Sequence, residues 1–146
     1  MKVNRRITEI IVHCTATPEG REVHVPEVNQ WHRERGFDGI GYHYLIALDG
    51  TIEPGRDIER AGAHCLGHNA HSIGIAYVGG LDGKGKAKDT RTPAQRESLR
   101  LLIRFLKKVF PGTIVYGHRD FANKECPCFD AKHEFRIKSN LSGIKS

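Results

Sequence analysis

The sequence predicts a single α/β domain with a central mixed β-sheet flanked by helices. Three observations carry that expectation. Short β-branched runs alternate with segments of helical period. One pair of runs is joined by an Asp-Gly turn, which implies an antiparallel hairpin within the sheet. The length, 146 residues, suffices for one well-buried core and leaves no room for a second.

Each element has a local reason. Ile7-Thr8-Glu9-Ile10-Ile11-Val12 is β-branched and reads as a strand ending at His13. Residues 14–26 are polar, broken by Pro18 and Gly20, and read as a loop. Pro26 opens a short helix to Arg35, with Val28 and Trp31 three apart and Gly36 as its stop. Tyr42 to Leu48 alternates weakly, and Asp49-Gly50 turns the chain back into Thr51-Ile52-Glu53. A loop rich in Gly and His, Ala61 to His71, leads into a strand from Ser72 to Val78, and Gly79 to Arg91 reads as a flexible basic excursion. The best-marked helix runs from Pro93 to Phe110. Thr92-Pro93-Ala94-Gln95 fits a capping box, Leu99, Leu102, Ile103 and Leu106 form one stripe, and Pro111-Gly112 ends it. Thr113 to Tyr116 is a last short strand, His118 to Asp130 a loop, and residues 131–138 a terminal helix. The expected domain is therefore 1–138, with 139–146 as a frayed tail.

Composition narrows the function classes. No apolar run approaches the ~20 residues of a membrane span. The basic start, Met1 to Arg6, is followed by an apolar stretch interrupted at Glu9, too short for a secretory leader. The expected location is therefore the cytoplasm. The formal charge of +6 is uneven, with residues 1–83 at −3 and residues 84–146 at +9. Such a basic half suits a polyanion such as nucleic acid, an anionic membrane or the bacterial cell wall, although it also reads as a solvated face. With one Trp and no interleaving of basic and aromatic residues, nucleic acid has no support. The four cysteines, Cys14, Cys65, Cys126 and Cys128, are expected as free thiols or metal ligands rather than disulfides.

His13 and His118 each close a β-branched run, and Cys126 follows eight residues after His118. Two imidazoles and a thiolate make a three-donor zinc shell with an open fourth position, as catalytic zinc requires. Spacing alone does not link them, because His13 lies 105 positions before His118. A rival set, His64, His68 and His71, is flanked by Gly62 and Gly67, which argue against a helix. It reads as a polar loop at the rim of a cleft rather than as ligands. Gly79-Gly80-Leu81-Asp82-Gly83 lacks the Gly-Lys-Ser/Thr of a phosphate loop, and no Gly-x-Ser-x-Gly elbow is present.

Whole motifs carry more than spacing. Ile11-Val12-His13-Cys14-Thr15-Ala16-Thr17, Gly41-Tyr42-His43-Tyr44, Asn69-x-x-Ser72-Ile73-Gly74, Gly117-His118-Arg119-Asp120 and Lys124-Glu125-Cys126-Pro127 occur in that order. Together they resemble the type-2 zinc N-acetylmuramoyl-L-alanine amidases, which share a fold with the peptidoglycan recognition proteins. Within that family the chain is most similar to phage endolysins of the T-seven lysozyme type. The resemblance implies a Zn²⁺ cofactor held at the strand ends by His13, His118 and Cys126, with Tyr42 and Lys124 catalytic and His64 on a substrate-facing loop. Cys128 falls where related phage enzymes carry a small residue, which leaves open which thiol binds metal. The implied reaction is hydrolysis of the amide between N-acetylmuramic acid and L-alanine in peptidoglycan, by a phage or prophage endolysin held in the cytoplasm until released to the wall; one compact domain defaults to a monomer. The alternatives are a cytosolic amidase recycling muropeptides and a non-catalytic peptidoglycan-binding domain. The filled Tyr42, Lys124 and ligand positions favour an enzyme.

Overall fold

The computed structural model describes residues 3–136; the expected tail and the last two residues of the expected terminal helix lie outside the described residues. Among the described residues, seven strands and three α-helices follow in the order β1 (Glu9–Cys14), β2 (Thr17–Pro18), α1 (Val25–Glu34), β3 (Tyr44–Ile46), β4 (Ile52–Pro54), β5 (Ser72–Tyr77), β6 (Gly80–Leu81), α2 (Pro93–Val109), β7 (Ile114–Gly117) and α3 (Ala131–Glu134). Five strands form one mixed sheet in the order β4-β3-β5-β1-β7. Only the β3–β4 hairpin is antiparallel, across the Asp49-Gly50 turn; β1 lies parallel to both β5 and β7.

Side-chain parity divides the core. Ile10, Val12 and Cys14 of β1 and Ile73, Ile75 and Tyr77 of β5 pack with Leu99, Leu102, Ile103 and Leu106 of α2. Burying each of those α2 side chains is worth about 1.5–3 kcal/mol. The alternate positions face α1, whose Val28 joins Leu45, Ala76 and Val78 in a second cluster. The sheet therefore lies between helices, and Glu9, Ile11 and His13 share the α1 side of β1.

The capping box forms as expected: Gln95 N–H donates to Thr92 Oγ1 at 3.0 Å, and Thr92 N–H donates to Gln95 Oε1 at 2.9 Å. Gln95 is also fully buried, and its amide donates to the carbonyls of Ile46 and Val78, which ties the start of α2 to the sheet.

The region after β5 is the main difference from expectation. Residues 79–91 carry strand pairing and side-chain contacts that the sequence did not signal. Gly80–Leu81 pairs in parallel with Thr17–Pro18 in a separate two-stranded sheet, inside what reads as loop on both sides. Asp82 Oδ1 accepts the N–H groups of Lys84 and Lys86, and Lys88 pairs with Glu19 at 2.8 Å. Arg91 is buried over the Phe129 ring and bonded to Asp89 and Glu134. Among the described residues, no helix is long and apolar enough to cross a membrane.

Candidate active site

A cleft of about 430 Å³ opens at the carboxyl ends of the parallel strands, where His13, Tyr42, His64, His118, Lys124 and Cys126 line it. The sheet explains the convergence. Parallel pairing of β1 with β7 brings His13, near the end of β1, beside His118, the residue after β7, with ring centroids 4.5 Å apart. The loop after β7 then folds back: Arg119 N–H donates to the Cys126 carbonyl at 2.8 Å. A Cβ on Gly117 would come within 2.8 Å of Pro127 Cδ, so only glycine lets that loop close so tightly. Cys126 Sγ accepts the Cys14 backbone N–H at 3.1 Å.

One donor atom each from His13, His118 and Cys126 lies within 4.8 Å of the others. Two imidazole nitrogens and one sulfur are the donor chemistry that zinc takes in tetrahedral sites. Burial first, and the neighbouring imidazoles second, hold His13 well below the ordinary imidazole value. Burial, with Lys124 nearby, lowers His118 as well. Both rings are thus neutral at pH 7 and keep a lone pair for a metal. Cys128 does not join the set; its thiol donates to the Gly80 carbonyl at 3.3 Å.

His64 lies deeper than a rim residue. It is 9 % exposed and wedged against the sheet, where a Cβ on Gly74 would meet its ring at 2.7 Å. Its Nδ1 lies 2.8 Å from His13 Nε2, and its Nε2 lies 3.1 Å from Ser72 Oγ. Since His64 engages Nε2 of His13, Nδ1 is the His13 nitrogen left for an ion.

Tyr42 stands just before β3 with its ring 5.1 Å from that of His13. Burial pushes its phenol above the ordinary value, so it stays protonated. Sequence reasoning missed its support. His32 of α1 packs edge-on against Tyr42 at 5.2 Å and accepts the Gly41 N–H on Nδ1 at 2.9 Å. Burial lowers His32 to about 4. A buried histidine on the inner face of a short helix was the only available signal. Lys124 is exposed on the cleft wall.

Comparison with known proteins fits this geometry. The profile of the N-acetylmuramoyl-L-alanine amidase family matches residues 3–129. The chain is 47 % identical to the endolysin of Enterobacteria phage T3 over 129 residues, 88 % of this chain and 85 % of that one. It is 46 % identical to the endolysin of Escherichia phage T7 over 123 residues, 84 % and 82 % of the two chains. Among solved structures, the endolysin N-acetylmuramoyl-L-alanine amidase LysCS from Clostridium intestinale superposes with a TM-score of 0.78 at 31 % identity, covering 92 % of this chain and 86 % of that one. The seven-strand scaffold, the converging His, His and Cys donors and these matches agree: the chain belongs to the N-acetylmuramoyl-L-alanine amidase family, alongside the endolysins of T7-type phages.

Proposed function

We propose that the chain hydrolyses the amide between N-acetylmuramic acid and L-alanine of peptidoglycan at the cleft lined by His13, His118 and Cys126. The observation that carries this reading is the convergence of those donors from three distant segments, with Tyr42 and Lys124 on the same cleft. A zinc ion bound there would supply Lewis acidity and lower the pKa of a water to about 7.

The chain's own groups do the rest. His13, His118 and Cys126 hold the ion, and the Cys14 N–H stabilises charge on the Cys126 sulfur. The Lys124 ammonium faces the cleft and stabilises the carbonyl oxygen as it gains charge. Tyr42 keeps its phenolic proton and donates a hydrogen bond within the cleft, orienting the attacking water or the oxygen under attack. His64 lines the same cleft, as a substrate-facing residue would, but both its ring nitrogens are engaged by His13 and Ser72. Its better-supported role is to orient His13. Were His13 Nδ1 to take an ion, its Nε2–H would donate to His64 Nδ1, and His64 Nε2–H would donate to Ser72 Oγ. The +9 charge of residues 84–146 favours approach to an anionic wall polymer.

Digestion of intact sacculi by zinc-loaded protein tests the reading. The expected products are free L-alanine amino groups with no new reducing sugar ends. New reducing ends would assign a glycosidase instead.

A further inference from the structure

A second group of metal-ligating side chains lies away from the cleft. Glu9 Oε1 lies 2.9 Å from His68 Nδ1 and 3.2 Å from His71 Nε2. One donor atom from each of the three lies within 4.8 Å of the others. The side chains are 16 %, 25 % and 39 % exposed, respectively. We propose that Glu9, His68 and His71 form a second, thiolate-free site for a zinc-class divalent ion, which fastens the 61–71 loop to the start of β1.

The geometry suits such an ion. Zinc bonds of about 2.0–2.2 Å to nitrogen and oxygen place neighbouring tetrahedral ligands ~3.3 Å apart. The separations of 2.9 and 3.2 Å lie within a few tenths of that figure. Without an ion, two imidazoles converge on one carboxylate oxygen, and each must turn a proton toward it. An ion would take the place of those protons and accept a lone pair from each ring. The donors also choose the class. Two imidazoles and one carboxylate suit zinc, cobalt or nickel, whereas calcium and magnesium require mostly oxygen. The 39 % exposure of His71 leaves room for water to complete the shell.

The surroundings already hold these groups in place. Thr8 N–H donates to the His71 carbonyl at 2.9 Å, and Glu9 is in register with Ser72. Arg5 gathers the carbonyls of Asn69, Ala70 and Ser72. The His68 ring stacks on Phe121 with centroids 3.8 Å apart. The site is separate from the cleft, because Glu9 and His13 share one face of β1 but lie four residues apart, about 13 Å along a strand. One ion cannot serve both. The link between them is Asn69, whose Oδ1 accepts the N–H groups of His64 and Cys65. An ion at Glu9, His68 and His71 therefore steadies the loop that presents His64 to His13.

Cobalt distinguishes the two sites, because only the site containing Cys126 can give a thiolate-to-metal charge-transfer band. Metal-stripped full-length protein is titrated with Co²⁺ and with Zn²⁺, and bound metal is counted by mass spectrometry after dialysis. The expected result is two ions per chain in the wild type and one in Cys126→Ser, the latter without the charge-transfer band. His68→Ala/His71→Ala is expected to lose one ion and keep the band. Zn²⁺ should raise the melting temperature of Cys126→Ser, and Glu9→Gln, which preserves side-chain shape, should abolish that rise. A wild type saturating at one ion with the full band would overturn the proposal. So would a second ion whose binding is unchanged in both Glu9→Gln and His68→Ala/His71→Ala. Loss of the band with retention of the second ion would count against the cleft's metal and leave this site standing.

Discussion

Replacing His64 by Ala tests whether the histidine beneath the cleft positions the His13 ring proposed to bind metal. In the wild type, the contact at 2.8 Å engages His13 Nε2 and leaves Nδ1 for the ion. The His64 ring fills the space over Gly74, where a Cβ would meet it at 2.7 Å. Removing an outer partner of a ligating imidazole typically costs 10–100-fold in metal affinity, about 1.4–2.7 kcal/mol. The truncation also leaves His13 Nε2–H and Ser72 Oγ without their present partner in a buried setting. That adds about 1–3 kcal/mol per unsatisfied group to the loss of fold stability. The two effects separate in measurement: competition with a chromophoric chelator at pH 7 reports zinc affinity, and urea unfolding of metal-free protein reports stability. His64→Gln supplies a carbonyl oxygen that can accept from His13, so it should recover part of the zinc affinity. A His64→Ala protein that is folded and binds zinc within twofold of wild type would refute the reasoning. Equal losses for Ala and Gln would show that the acceptor is not what matters.

Four further outcomes follow from the same geometry. Tyr42→Phe and Lys124→Ala should keep zinc and fold while losing turnover, Lys124→Ala by roughly 10²–10³-fold in kcat, measured on a soluble muropeptide with KM nearly unchanged. Gly74→Ala should displace the His64 ring, which a Cβ would meet at 2.7 Å; weaker zinc binding in a folded variant would report it, and wild-type affinity would contradict it. Arg91→Ala should destabilise by about 1–3 kcal/mol in urea unfolding, because it removes a buried cation bonded to Asp89 and Glu134 and stacked 3.4 Å over Phe129, while Asp89 keeps Arg96 as a partner at 3.2 Å. Burial lowers His32 and His43 to about 4, against about 6.5 unfolded, so the unfolded chain binds more protons between those values and metal-free stability should fall as pH drops from about 6.5 to about 4, by ~3 kcal/mol per histidine; flat urea midpoints over that range would contradict buried neutral rings.

What was legible in the sequence was local. The α2 capping box, the Asp49-Gly50 hairpin and the β-branched run ending near His13 each depend on neighbours within a few residues, and each forms as expected. The β2–β6 pair was not legible, because it joins residues about sixty positions apart and each partner is only two residues long. Asp82, which holds the turn after β6, has no strand pattern around it to mark its role. The cleft residues became readable only through whole motifs, since no spacing rule brings position 13 to position 118. His32 and Glu9 escaped even that. His32 matters through an edge-on contact with Tyr42, and Glu9 through two histidines that arrive on another loop. Read as loop polarity, His68 and His71 gave no hint of a carboxylate partner on the first strand.

The same molecule shows why such a site can be coded by residues that carry no chemistry. His13 and His118 meet because β1 and β7 run parallel, but parallel pairing alone does not bring in Cys126 or His64. Cys126 arrives because Gly117 lets Pro127 pack against the end of β7, and because Arg119 N–H binds the Cys126 carbonyl. His64 fits because Gly62 and Gly74 leave its ring a slot against the sheet. Three missing side chains therefore set the distances among His13, His118, Cys126 and His64. The consequence for energetics is direct. An ion held by His13, His118 and Cys126, as proposed, would fasten the 118–130 loop to the end of β1, so its binding free energy would also be stabilisation of the closed loop. Substitutions at the glycines should then weaken metal binding without touching a ligand, and the ion should protect the 118–130 loop from proteolysis more than it protects α2.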